Sequence, residues 1–231
     1  MSSLIEFPDP LTHRYPMWIQ AGEYYYPGEG IVHLGGDMTV ENLRNAYRKG
    51  IFPWFTPGLP LPWHCPDPRA VLFFDELHIP RSLSKVRRTA KYSYTIDKDF
   101  ASVMLGCAEA KRNDSGGTWI TQDFIDRFTE LHNTGDAHSV EAWNENGELV
   151  GGLYGVDAGG VFCGESMFFR ESNASKLALL YLVDHLSDKG CKWLDVQVMT
   201  PHFKVLGARE IPREFFLKML GETQSINSRI F

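Results

Sequence analysis

Lys192-Trp-Leu-Asp-Val-Gln-Val198 alternates as a β-strand does, with Leu194, Val196 and Val198 on one side and Trp193, Asp195 and Gln197 on the other. A helix-like segment ending at Gly190 precedes it, which predicts an inner strand of a mixed sheet. Inner strands of that kind are usually apolar on both faces. Asp195 and Gln197 stand two residues apart on one face, near enough to hydrogen-bond to each other. Burying such a carboxylate–carboxamide pair costs free energy unless both groups are satisfied, so the pair points to chemistry. The ordinary structural alternative is an edge strand with one wet face, and the flanking motifs decide against it.

Upstream of that strand, residues 173–188 read as an amphipathic helix carrying Leu177, Leu180 and Val183 on its apolar face. Before the helix, residues 139–143, 148–156 and 161–168 alternate as three antiparallel strands. The turns between them, Asn144-Glu-Asn-Gly147 and Asp157-Ala-Gly-Gly160, are strong hairpin signals. Residues 99–110 and 122–133 read as helices. Three meandering strands, a helix and a further strand follow the order of a GNAT-like acyltransferase core. The N-terminal part is different in character. Gly35-Gly36-Asp37 leads into a helix over residues 38–49, with Thr39 as N-cap and Gly50 just past the end. Residues 56–68 hold five prolines and are expected to form neither helix nor central strand, but a rigid connector. The expected class is therefore α+β: a small N-terminal domain over residues 1–62, then a GNAT-like domain over 63–231 with a mixed sheet flanked by helices.

Composition narrows the function. Hydrophobic content of 43% and charged content of 23% suit a globular protein, and no apolar run approaches the about 18 residues of a membrane span. The first residues lack a basic stretch followed by an apolar one, so no secretory signal is expected. Cys65, Cys107, Cys163 and Cys191 are scattered without a C-x-x-C, which fits reduced thiols in the cytoplasm and argues against a structural zinc site. A net charge of −6 excludes a protein that coats nucleic acid nonspecifically, though a local basic patch can still hold one strand end.

Three tryptophans stand in loops or at element ends: Trp54 in F-P-W-F, Trp63 in L-P-W-H and Trp119 in G-G-T-W-I. Each is either a packing anchor under a turn or a platform for an unpaired base. Arg81, Lys85, Arg87, Arg88 and Lys91 form the one dense basic run, which reads either as a solvated helix face or as a phosphate contact. Glu165, inside Cys163-Gly-Glu-Ser-Met-Phe168, is out of place on an apolar strand. It reads either as a turn carboxylate or as a partner for a cationic or amine substrate beside Asp195 and Gln197.

Taken together, several stretches resemble the bacterial leucyl/phenylalanyl-tRNA–protein transferases. They are Leu34-Gly-Gly-Asp37, Ala46-Tyr-Arg-Lys-Gly-Ile-Phe-Pro-Trp-Phe55, Pro66-Asp-Pro-Arg-Ala-Val-Leu72, Gly117-Thr-Trp-Ile120 and Ala137-His-Ser-Val-Glu141. In the second half come Leu149-Val-Gly-Gly-Leu-Tyr-Gly-Val156, Gly164-Glu-Ser-Met-Phe168, Ala174-Ser-Lys176, Leu194-Asp-Val-Gln-Val198 and Leu206-Gly-Ala208. The chain departs from the family where W-W-S-P is replaced by Trp63-His-Cys-Pro66, at Phe169, and in parts of residues 199–205.

The resemblance implies transfer of Leu or Phe, with Met as a further acyl group, from aminoacyl-tRNA to proteins that begin with Arg or Lys, marking them for degradation. It implies Asp195 and Gln197 as the catalytic pair, with Asp195 holding the Gln197 carboxamide, and Glu165 positioning ester and amine. Leu153, Gly164, Met167, Leu182 and Leu194 would form the acyl pocket. Trp54 and Trp119, with Tyr47 nearby, would stack on the terminal adenosine, and Arg81, Lys85, Arg87 and Arg88 would touch the acceptor stem. No cofactor or metal is expected, because an aminoacyl ester is already activated toward amide formation. Two rivals are an acyl-CoA enzyme of the same fold, whose pyrophosphate loop is absent here, and a non-catalytic binder, which would have no need of Asp195, Gln197 and Glu165 together.

Overall fold

Two side chains close the hairpins at the centre of the sheet. Asn144 Oδ1 accepts the backbone N–H groups of Asn146 and Glu148 at 3.1 and 3.0 Å, and Asp157 Oδ1 accepts those of Gly159 and Gly160 at 2.9 and 2.6 Å. The structure, a computed structural model, describes residues 4–110 and 118–231, so Gly116 and Gly117 of the G-G-T-W-I motif lie outside the described residues.

The chain begins with a hairpin of β1 (Trp18–Ala21) and β2 (Tyr24–Pro27), then β3 (Ile31–Leu34), α1 (Val40–Arg48), β4 (Phe52–Pro53) and β5 (Pro62–His64). The larger part follows with β6 (Arg69–Phe73), α2 (Arg81–Thr89), β7 (Ser93–Ile96), α3 (Phe100–Glu109) and α4 (Gln122–Asn133). It continues through β8 (Ala137–Trp143), β9 (Leu149–Asp157), β10 (Phe162–Phe169), α5 (Ala174–Asp188) and β11 (Trp193–Gln197). It ends with α6 (Pro201–Val205), β12 (Arg209–Ile211) and α7 (Arg213–Ile226). Among the described residues, seven strands form a mixed sheet in the order β12-β6-β11-β10-β9-β8-β7. One core cluster joins α1, α3, α4 and α7 to one face; the other joins α2, α5 and α6 to the opposite face.

Local signals hold at the helix ends. Thr39 accepts the Asn42 N–H at 3.2 Å, and Gly50 follows α1 at φ +72°. Strand β9 is buried on both faces at nearly every position because helices cover the sheet on both sides. Gly155 is required there, since a Cβ would lie 2.3 Å from the Cys163 carbonyl oxygen.

Residues 56–68 are more ordered than a connector. Pro62–His64 is the central strand of a three-stranded sheet, β3-β5-β4. Its proline sits at the first strand position, where the missing N–H is tolerated. The small sheet thus reaches past residue 62, and its Trp63 packs in the same cluster as Phe100 and Phe124 of the larger part.

Candidate active site

The parallel neighbours β10 and β11 pair only at Cys163 and Asp195, then diverge. Each strand carries a register shift just beyond that pair, at Gly164/Ser166 in β10 and at Asp195/Gln197 in β11. Bulges re-aim side chains, and here they turn Glu165 and Gln197 into the gap between the strands. A cavity of about 420 Å³ fills that gap.

At Gln197 the backbone turns sharply. Its φ is +64°, and the Val198 N–H bonds to the Val196 carbonyl at 2.7 Å around it. Such a conformation is uncommon for a residue with a side chain and costs on the order of 1–3 kcal/mol. It lets Val196, Gln197 and Val198 all face one cavity, which a regular strand forbids.

Asp195 holds this turn. Its Oδ1 accepts the Gln197 backbone N–H at 2.8 Å and Arg69 Nε at 2.9 Å, while its Oδ2 accepts Arg69 Nη2 at 2.6 Å. Both partners are 1% exposed or less. The guanidinium also donates from Nη1 to the Gly50 carbonyl at 3.1 Å and lies between the rings of Phe52 and Phe216, 4.8 and 4.5 Å from their centroids. The buried Cys163 thiol adds a hydrogen bond to Asp195, and burial with that neighbouring charge pushes its pKa well up. Asp195 therefore does not hold the Gln197 carboxamide, because the bulge swings that side chain away. Neutralised by Arg69, it also offers the cavity no free negative charge.

The carboxamide goes instead to Glu165. Gln197 Nε2 donates to Glu165 Oε1 at 2.5 Å, and the Tyr47 hydroxyl donates to the same oxygen at 2.6 Å. Burial raises the Glu165 pKa to about 7; the bonds from Tyr47 and Gln197 pull it down, and the Asp195 charge pushes it up. Tyr47 is itself buried on α1 and bonds to Glu165 rather than lying open to a base.

Of the expected pocket residues, Leu153, Gly164, Met167 and Leu194 line the cavity, and Leu179, Val196 and Phe203 complete its apolar wall. Leu182, on α5, is fully buried in the packed core and is not part of the lining. One turn earlier, Leu179 occupies the facing position. Trp54, 39% exposed, and Trp119 both border the cavity. Trp63 is a packing anchor: it is fully buried against Phe7 and donates to the Gly35 carbonyl at 2.9 Å. Arg81, Lys85, Arg87 and Arg88 are exposed on α2, and Arg87 pairs with Asp184 of α5.

Sequence reasoning missed three groups. Arg69 lay within a quoted motif without a role, although a buried Asp195 demands a countercharge. His202 lines the cavity with an unpartnered Nε2, its pKa lowered to about 4 by burial and by nearby Lys176. His64, at a departure from the family pattern, stacks on Phe52 and edges Trp54, with its pKa lowered to about 4 by burial and the Arg69 charge.

A family profile described as leucyl/phenylalanyl-tRNA protein transferase matches residues 71–221. The chain belongs to that family. The profile for the N-terminal domain of leucyl/phenylalanyl-tRNA protein transferases matches residues 36–67. Leucyl/phenylalanyl-tRNA–protein transferases of Yersinia pestis (strain Pestoides F) and Yersinia pseudotuberculosis (serotype O:1b, strain IP 31758) are 50% identical over 195 residues, 84% of this chain and 81% of theirs. A solved structure, L-PGS from Bacillus licheniformis, is a distant likeness at TM-score 0.38 and 11% identity, covering 65% of this chain and 48%, about half, of its own length. As a leucyl/phenylalanyl-tRNA–protein transferase, the chain is an aminoacyltransferase that acts on proteins. None of its described helices is long and apolar enough to cross a membrane.

Aromatic stacking gives a first test. Trp54→Ala and Trp119→Ala are each expected to weaken an aminoacyl-adenosine analogue by about 1–3 kcal/mol in calorimetry. Trp54→Ala should lower the melting temperature only slightly, because the residue is 39% exposed and its ring meets Phe52 at a tilt and His64 edge-on. Unchanged affinity in both variants would make the two rings packing residues only.

Proposed function

We propose that the chain moves Leu or Phe, and also Met, from aminoacyl-tRNA to the α-amino group of proteins that begin with Arg or Lys, marking them for degradation in the cytoplasm. The observation that carries this reading is an apolar slot that opens directly onto Glu165 and Gln197 at the β10–β11 gap, in a chain of this family. The ester of an aminoacyl-tRNA is higher in free energy than the amide product, so the driving force travels with the substrate. The incoming α-amine has a pKa near 8 and must be neutral to attack. With one N–H of its carboxamide donated to Glu165, Gln197 is oriented so that its carboxamide oxygen can accept a hydrogen bond from that amine. Much of the acceleration would come from holding amine and ester within reach of each other.

Leu153, Met167, Leu179 and Leu194 give the acyl group an apolar slot, and Met167 can adapt to more than one shape. Trp54 and Trp119 at its border suit the terminal adenosine, and the basic face of α2 suits the acceptor stem. Among the described residues Glu165 is the one cavity-lining carboxylate, and it suits a cationic N-terminal residue.

Incubating purified protein with charged Leu-tRNA and a peptide beginning with Arg should add one leucine to the peptide by mass spectrometry, while a peptide beginning with Asp stays unmodified. Absence of any product would end the reading. Ile and Val, branched next to the reacting carbonyl, should be rejected by about 10- to 200-fold relative to Leu, the worth of one misplaced methyl. Leu179→Phe should narrow the slot and lower Phe transfer more than Leu transfer in a competition between the two charged tRNAs.

A further inference from the structure

Glu165 has more built around it than a positioning carboxylate needs. Tyr47 from α1 and Gln197 from β11 both donate to Oε1, which leaves Oε2 out of that pairing on a residue that lines the cavity. The neighbouring charges are accounted for: Asp195 is closed off by Arg69, the Cys163 thiol points to Asp195, and His202 across the cavity is neutral. We propose that Glu165 takes the proton from the attacking α-amine and returns it to the departing 3′ oxygen of the tRNA, with Tyr47 as the residue that fixes its orientation.

The step balances with one carboxylate. The amine nitrogen bonds to the ester carbonyl carbon and becomes positively charged; Glu165 removes one of its protons. The carbon–3′-oxygen bond then breaks, and the same proton passes from Glu165 to that oxygen, leaving an amide and a free hydroxyl. Nitrogen and leaving oxygen share one carbon in the tetrahedral intermediate, so one group can serve both. A carboxyl whose pKa sits near the working pH suits both halves of that exchange.

This inference rests on the aminoacyl transfer proposed above, and the test separates the two. An acceptor peptide whose N-terminal amine is replaced by an aminooxy group has a nucleophile already neutral from mildly acidic pH upward, so its own titration drops out. Single-turnover transfer to it by the wild-type protein should rise with pH through about 7 and then level off. Glu165→Gln should be slower by about 10²–10⁴-fold and flat with pH. Tyr47→Phe removes a hydrogen bond that lowers the Glu165 pKa, so its rise should move to higher pH. A stability measurement checks that the variant is folded. The Glu165 pKa is raised on folding, so its contribution is fully present below the ordinary value of 4.5 and is lost as pH rises through about 7. Glu165→Gln should therefore melt higher than wild type at pH 8 and no higher at pH 4. Wild-type transfer with an unchanged rate and pH profile in Glu165→Gln would overturn the inference alone; no transfer by the wild type would overturn the underlying reading.

Discussion

Arg69→Met is expected to lower stability by about 3–5 kcal/mol, which for a chain of this size is a fall of roughly 6–20 °C in melting temperature. Removing the guanidinium leaves the Asp195 carboxylate fully buried without its countercharge, because Arg69 is the one cation paired with it among the described residues. Transfer should disappear with it, because Asp195 would no longer be held where it fixes the turn at Gln197. The companion experiment is the double variant Arg69→Met, Asp195→Leu. Replacing a whole buried ion pair with apolar groups is often neutral or stabilising, so the double variant should recover most of the lost melting temperature and none of the activity. A single variant as stable as wild type would refute the assignment of Arg69 as the anchor of the site.

Gln197→Gly should have an opposite signature. Glycine adopts φ +64° without steric cost, so relief of the strained turn offsets the loss of a largely buried side chain, and the melting temperature should stay at or above that of wild type. Leucyl transfer should still fall by about 10²–10⁴-fold, since the carboxamide that binds Glu165, and that is proposed to accept a hydrogen bond from the amine, has gone. Gln197→Ala should lose as much activity and also some stability, because it keeps the strain. Near wild-type transfer in both variants would remove Gln197 from the mechanism.

Much of this arrangement was legible in the residues. The hairpin turns at residues 144–147 and 157–160, the capped helix α1 and the α4 boundaries follow from side-chain chemistry that acts within a few positions. So did the meeting of Asp195, Gln197 and Glu165, because polar groups on buried strands need one another. Their wiring was not legible. Strict alternation put Asp195 and Gln197 side by side, and a bulge is set by how β11 lies against β6 and β10 rather than by the five residues of the strand. Leu182 and Leu179 are both apolar positions on α5, and only the placement of the helix on the sheet decides which one meets the cavity. Strand β5 was obscured by its prolines, whose tolerance depends on where each falls within the strand.

The guanidinium of Arg69 touches groups from distant points in the chain: Gly50 and Phe52 near the start, Asp195 far downstream, and Phe216 on the last helix. A ribosome delivers these partners in that order. Until Phe216 has emerged, Arg69 lacks one of the two rings that sandwich it, and the turn at Gln197 lacks its finished anchor. A copy that lacks the final helix is therefore expected to hold the Arg69–Asp195 pair less firmly than the finished chain.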